Sequence, residues 1–402
     1  MDSNKDSVVY ISKYVTFSTF GMESRQIYLS REFVKRGYDV SVFASNANHQ
    51  LRRQPTLEVD VFDGIKVNWV YSKLYKNAYG IGRVWSWISF ELNLRRKLKK
   101  ANFSDVSVII VSSLSLLSII NGLYLKRKYN AKLFLEIRDI WPLILTELTA
   151  VSKFHPLYIV LNTIEKLGYR RADLIIGTMP NLIEHVLSSV KTKAPVIQIP
   201  HLINNSLIHS PKNIYSSDLT KIRSNGFKTI LAYCGNISTS AGLHFLLECA
   251  SELATLNVAI VILGEGPLKS KYLRCYTQDN IYFLDKICQS SVVAFLKECD
   301  LLYDGYLQSD IYKYGSSRNK YVEYCLASKP IIVSYEGYPL FVEKYSCGLV
   351  VKPESSLSII TGVKRILKYS ETERALIGQR AFSYAKENLQ IPYYVDKLET
   401  YL

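Results

Sequence analysis

Short apolar runs rich in β-branched residues alternate with amphipathic stretches of helical period along the whole of this 402-residue chain. That alternation is the mark of parallel strands covered by helices. In the first half the runs predict strands at 8–12, 40–44, 66–70, 108–111, 133–136, 174–177 and 196–199, with helices such as 24–36 and 158–170 between them. In the second half they predict strands at 229–233, 259–263, 281–284, 301–303, 331–334 and 349–351. No short-period sequence repeat accompanies this, so the duplication is one of architecture. Residues 203–227 are rich in Asn, Ser and Lys, contain Pro211 and Gly226, and lack apolar periodicity, which predicts a linker. The division expected is a first domain over 1–205, a linker over 206–227, a second domain over 228–384 and a C-terminal helix over 385–402 that crosses back to the first domain. The fold class is therefore α/β, two Rossmann-like doubly wound domains facing across a cleft, with ligands expected beyond the carboxyl ends of the strands.

Composition narrows the partners. Residues 106–125 carry no charge over 20 positions, about the length of a membrane span, yet five serines and Asn121 interrupt them. The stretch divides more naturally into a buried strand at 108–111 and a helix from Leu114. The net charge of +15 is uneven: residues 1–212 hold 29 Lys and Arg against 16 Asp and Glu, the remainder 21 against 19. A basic half points to nucleic acid, an anionic membrane surface or phosphorylated substrates. The chain has no recognised nucleic-acid-binding module, so a partner in that class is not expected. The run from Arg83 to Lys100 interleaves Trp85, Trp87 and Phe90 with a basic end. It has two readings, an interfacial helix on anionic lipid or a domain helix with an aromatic core side. Seven cysteines, all in the second half, form no CxxC pair and no metal spacing with histidine, and read as reduced core thiols. The location expected is cytoplasmic, with a peripheral place on the inner face of the plasma membrane as an extension of it.

Candidate chemistry follows the strands. The segment Tyr314-Gly315-Ser316-Ser317-Arg318-Asn319-Lys320-Tyr321-Val322-Glu323 opens a loop of small residues into a helix start. Unpaired N–H groups and the helix dipole favour an anion there, Arg318 and Lys320 add charge, and Glu323 is placed to take a sugar hydroxyl. An ordinary serine-capped helix is the plainer reading. Asp139, beside Arg138, is suited to accept a hydroxyl proton or hydrogen bond, or merely to pair with Arg138 or cap a helix. Gly264-Glu265-Gly266-Pro267 is either a nucleotide-pocket loop or a strand-to-helix turn. His201 reads as a hinge or core residue, since no histidine pair has metal spacing.

In order along the chain stand Phe20-Gly21-Met22-Glu23, Leu135-Glu136-Ile137-Arg138-Asp139-Ile140-Trp141-Pro142, Leu263-Gly264-Glu265-Gly266-Pro267 and Asn319-Lys320-Tyr321-Val322-Glu323-Tyr324-Cys325-Leu326-Ala327-Ser328-Lys329-Pro330. Together they resemble the retaining GT-B glycosyltransferases of family 4, in particular the branch of bacterial surface-polysaccharide synthesis. The resemblance implies transfer of a hexosyl or N-acetylhexosaminyl group from a nucleotide sugar bound to the second domain, with retention, to a lipid-linked or growing glycan acceptor on the first. It implies that Glu323 is the second glutamate of an E-x7-E motif. The first falls at Gly315, leaving Ser316, Ser317, Asn319 and backbone N–H groups for the sugar. The phosphate loop reads Gly235-Asn236-Ile237-Ser238-Thr239-Ser240-Ala241-Gly242 and lacks the usual basic pair. Arg318 and Lys320 are the local replacements, aided by N–H groups around Gly21 and Gly235. Gly264, Glu265 and Asn236 complete the expected donor site, Asp139 the catalytic set. No cofactor is expected, and action is expected to be metal-independent. A nucleotide-sugar epimerase on the same fold is the alternative.

Overall fold

The computed structural model describes residues 6–21, 23–48, 50–75, 81–113, 115–148, 151–204, 207 and 212–402. Met22, Leu114 and residues 205–206 and 208–211 of the expected linker lie outside the described residues. The chain divides into two compact units, one of Met1–Pro200 with Ile391–Leu402 and one of His201–Gln390.

The first unit is built on β1 (Ser7–Ile11), β2 (Asp39–Ser45), β3 (Val59–Phe62), β4 (Ile65–Val70), β5 (Val106–Ser112), β6 (Lys132–Ile137), β7 (Leu174–Gly177) and β8 (Val196–Gln198). Their spatial order is β3-β4-β2-β1-β5-β6-β7-β8, parallel except for β3. Strands buried on both faces need continuous apolar runs, and β1, β5 and β6 have them. The uncharged stretch becomes β5 and the helix Ser118–Tyr129, and among the described residues no helix is long and apolar enough to cross a membrane. The Arg83–Lys100 run lies in the helix Ile81–Lys100, where Trp87, Phe90, Leu94 and Leu98 recur at helical spacing and are buried. Arg95 stacks 3.7 Å over the Tyr124 ring and Lys97 donates to the Trp69 carbonyl at 2.8 Å. Most of the aromatic side is core, as in the second reading, while Trp85 faces solvent. The helix Ile391–Glu399 packs on the helix Arg25–Lys35, with Arg36 bonded to Asp396 at 2.6 Å and to Glu399 at 2.5 Å.

The second unit carries β9 (Thr229–Cys234), β10 (Val258–Leu263), β11 (Ile281–Leu284), β12 (Leu301–Gly305), β13 (Ile331–Ser334) and β14 (Gly348–Val351). All run parallel in the order β11-β10-β9-β12-β13-β14, so the winding direction reverses between β9 and β12. Apolar side chains fill both faces of this sheet. The expected linker is corrected: it contains the helix Ser216–Ser224, and Ile203, Leu207, Leu219 and Ile222 are buried in the core of this unit. Four anchors are too sparse to register as periodicity, yet they dock the segment. The cysteine expectation is corrected at Cys275 and Cys288, which are exposed, whereas Cys249, Cys299, Cys325 and Cys347 are buried.

Candidate functional site

Ligands of doubly wound sheets settle where the winding reverses, which in the second unit lies between β9 and β12. These strands pair only at Leu231↔Leu301 and Ala232↔Leu302. Beyond that point the Tyr324 hydroxyl enters the ladder, accepting from the Cys234 N–H at 3.0 Å and donating to the Tyr303 carbonyl at 2.8 Å. One hydroxyl thus replaces a direct strand-to-strand bond, satisfies both backbone groups and separates the strand ends.

Asp304 stands in this gap, fully buried at the end of β12. Its Oδ1 accepts from the Arg318 guanidinium at 2.7 Å and from Lys320 Nζ at 2.9 Å. Burial pushes its carboxyl up, but the two cations outweigh it and hold Asp304 below the ordinary aspartate range. Burial likewise disfavours the charged lysine, yet Asp304 and Tyr233 leave Lys320 raised and therefore protonated. Sequence reasoning passed over Asp304 because an aspartate closing an apolar strand looks like a turn residue.

The two predicted cations differ in what they have left to offer. Arg318 donates to Asp304, to the Gly305 carbonyl at 2.8 Å and to the Ser240 carbonyl at 3.2 Å, and its plane lies 3.4 Å from the Tyr306 ring centre. It is a strut tying the β9 loop to β12, with fewer N–H groups left for a phosphate than the sequence reading expects. Lys320 has one carboxylate bond, a contact 3.8 Å over the Tyr233 ring, and its ammonium lies directly against Gly235. Its remaining protons make it the better anion ligand.

The glycine assignments also change. The Gly21 N–H donates to Phe17 at 2.9 Å, that of Gly235 to Leu263 at 3.0 Å and that of Gly264 to Leu284 at 3.1 Å, so none is available to a phosphate. Gly264 instead permits close approach of two loops, since a Cβ there would stand 1.9 Å from the Gly235 carbonyl oxygen. Gly315 has φ +88°, a conformation that penalises a glutamate at the position where the motif would put one. Glu265 is engaged by Lys269 at 2.8 Å, and Lys269 also meets Asp285 at 2.5 Å. Asn236 and Asn319 are exposed, Ser317 is half-buried, and Ser316 pairs with the Tyr306 hydroxyl at 2.9 Å. The helix starts at Lys320 with Asn319 in the capping position and without a side-chain cap bond, so neither serine caps it.

Glu323 is buried beneath this helix start and accepts from the Gln289 amide at 2.9 Å. Burial raises its carboxyl above the ordinary glutamate value, with Gln289 pulling the other way. Gln289 begins the helix Gln289–Lys297 and was not anticipated. Asp139 lies in the first unit, half-buried after β6, where burial raises it against the opposing pull of Arg138 and Arg83. The structure therefore gathers Lys320, Arg318, Gly235, Gly264 and Glu323 within one unit, while Asp139 and Gly21 belong to the other. Among the described residues no three His, Cys, Asp or Glu side chains gather as metal ligands.

Residues 21–207 match the family model described as Glycosyltransferase Family 4, and residues 228–369 match the model described as Glycosyl transferases group 1. No curated protein matches the sequence. Among solved structures, sucrose-phosphate synthase from Thermosynechococcus elongatus aligns with TM-score 0.74 at 15% identity over 98% of each chain. Anabaena HepE in complex with UDP-glucose aligns with TM-score 0.64 at 13% identity, over 98% of this chain and all of its own. WaaG, a glycosyltransferase involved in lipopolysaccharide biosynthesis, aligns with TM-score 0.64 at 14% identity over 97% of this chain and 99% of its own. With one glycosyltransferase model on each unit and this shared two-domain fold, the protein is a glycosyltransferase of the GT-B type.

Proposed function

We propose that the protein transfers a hexosyl or N-acetylhexosaminyl group, with retention, from a nucleotide sugar on the second unit to a lipid-linked or growing glycan in surface-polysaccharide biosynthesis. One observation supports this above the rest: the charged Lys320 stands on Asp304 in the gap where β9 and β12 part, with Glu323 one turn further along its helix. Breaking a glycosidic bond to a diphosphate develops negative charge on the leaving oxygens, and a fixed ammonium stabilises it without reorganising. Glu323, aligned by Gln289, accepts a hydroxyl of the nucleotide's ribose. Arg318 acts through the loop it ties down. In this reading Lys320 supplies the charge that a bound metal would otherwise provide, and the basic first half rests on an anionic membrane surface.

The structural relative HepE is in complex with UDP-glucose, so uridine diphosphate sugars are the first donors to try. A donor that binds only the folded chain raises its melting temperature. Lys320→Met should then lower turnover by roughly two orders of magnitude, the usual cost of a lost charge-stabilising donor. Glu323→Gln should weaken donor binding with less effect on turnover. Unchanged kinetics in both variants would remove these residues from the donor site.

A further inference from the structure

The helix Pro156–Arg171 of the first unit is apolar on two sides. Leu161, Ile164 and Gly168 are buried on its inner side, while Ile159, Val160, Thr163 and Leu167 fall on one outer face and are exposed to solvent. A surface helix ordinarily turns polar residues outward. Phe154, just ahead of the helix, is 88% exposed. The helix Leu182–Ser189 repeats the pattern, with Leu182, His185 and Val186 buried and Ile183 and Leu187 exposed. His185 Nε2 is hydrogen-bonded to Glu165 at 2.9 Å and its ring meets that of Tyr169 edge to face at 6.0 Å, so the two helices are neighbours. By contrast, the basic helix Ile81–Lys100 keeps most of its aromatic side in the core and leaves a thinner stripe, Trp85 and Leu92, exposed.

The charge beside this apolar face is basic. Lys153, Lys166 and Arg170 border it and enter no ion pair among the described residues. The two helices hold two acids: Glu165 is buried against Tyr169 and His185, and Glu184 accepts from the Asn181 amide at 2.6 Å. Long cationic side chains flanking an apolar stripe suit the headgroup layer of an anionic bilayer, where the stripe enters the acyl boundary and the cations reach lipid phosphates. A second copy of the chain would set like charge against like charge. We propose that the outer face of these two helices, led by Phe154, docks on an anionic lipid bilayer. A crossover helix runs back along the strands it joins, so Phe154, Ile159 and Ile183 stand at the carboxyl ends of β6 and β7, the end at which Asp139 follows β6. Docking there brings the Asp139 end of the sheet to the lipid surface. The inference rests on the transfer reading above and deepens it: it names the membrane-contacting face and an acceptor carried in the bilayer.

The test is cosedimentation of the full chain with vesicles of phosphatidylcholine alone and of phosphatidylcholine with a quarter phosphatidylglycerol. Wild type should bind the anionic vesicles, less so as salt is raised. Phe154→Ser combined with Ile159→Gln should lower the partition roughly tenfold or more, and Lys153→Gln roughly fivefold. Leu357→Ser, an equally exposed position in the second unit, should leave it unchanged. The substituted side chains are exposed, and a melting temperature equal to that of the wild type verifies that each variant folds. Anionic-vesicle binding that survives the double variant, or that falls only in Trp85→Ser, would overturn the proposal. So would wild type that binds no vesicles but self-associates through this face, seen as a concentration-dependent mass in light scattering that the double variant abolishes. Nucleotide-sugar stabilisation is measured beside it: failure of any nucleotide sugar to stabilise the wild type counts against the transfer reading, whereas vesicle binding indifferent to Phe154, Ile159 and Lys153 counts only against the docking face.

Discussion

The two sheets reverse their winding in the same way but finish the crevice differently. In the first unit β1 and β5 stay paired to Ile11↔Val111, and the half-buried Asp139 beyond β6 is raised by burial against the pull of Arg138 and Arg83. In the second, β9 and β12 pair at two positions and then part around Tyr324, and the cations stand on a buried aspartate. A site whose charges are fixed by an internal counter-ion keeps its geometry with or without a ligand.

Removing the counter-ion is the strongest way to break this contrast. Asp304→Ala leaves Arg318 and Lys320 in the gap without their shared acceptor, and breaking a buried ion pair from one side typically costs about 3–5 kcal/mol. The expected outcome is a large fall in the denaturant midpoint together with loss of donor binding. Asp139→Ala, whose carboxylate receives no hydrogen bond among the described residues, should change stability far less. Comparable losses for the two aspartates would show that the second site is no more internally neutralised than the first.

A smaller effect is expected from Tyr324→Phe, which keeps the ring and removes the hydroxyl that joins Cys234 to Tyr303. Two buried backbone groups lose their partner, a cost of about 1–3 kcal/mol, unless the strands close and bond directly. Equilibrium unfolding reads the cost. Closure without loss of stability, accompanied by intact donor binding, would show that the parted strand ends are not needed for the site.

The sheets were legible because fully buried parallel strands leave unbroken apolar runs; every strand expected from those runs is present. β3 was missed because Val59–Phe62 is an antiparallel edge strand of four residues, with no apolar run on both faces. The candidate site was half legible. Lys320 and Glu323 stand out as charges at a helix start, but their meaning depends on partners remote in the chain: Asp304 for the lysine and Gln289 for the glutamate. Tyr324 reads as one more apolar position of a helix, since sequence spacing does not say that its hydroxyl reaches two other strands. The expected linker failed for the opposite reason, being polar in composition yet anchored by a few buried side chains.

The least effect, and the sharpest for the first site, concerns Lys13. Its ammonium is buried against Phe90 at 5.0 Å and Tyr14 at 5.8 Å; burial lowers its pKa to about 7, Glu91 opposing and Arg83 adding to the shift. In the unfolded chain the lysine holds its proton to the ordinary value of about 10.4. Between those values the unfolded state binds the extra proton, so stability rises with pH from about 7 towards 10 and the benefit is absent below 7. The slope from this one group is at most about 1.4 kcal/mol per pH unit. Lys13→Met should remove that slope, so urea midpoints of wild type and variant should change by different amounts between pH 7 and pH 9. Glu91, whose carboxyl burial raises, accepts from Ser115, Ser118 and Asn121 and is the group whose loss would depress Lys13 further. Parallel pH profiles for the two proteins would mean that Lys13 keeps its proton throughout, against what its burial implies.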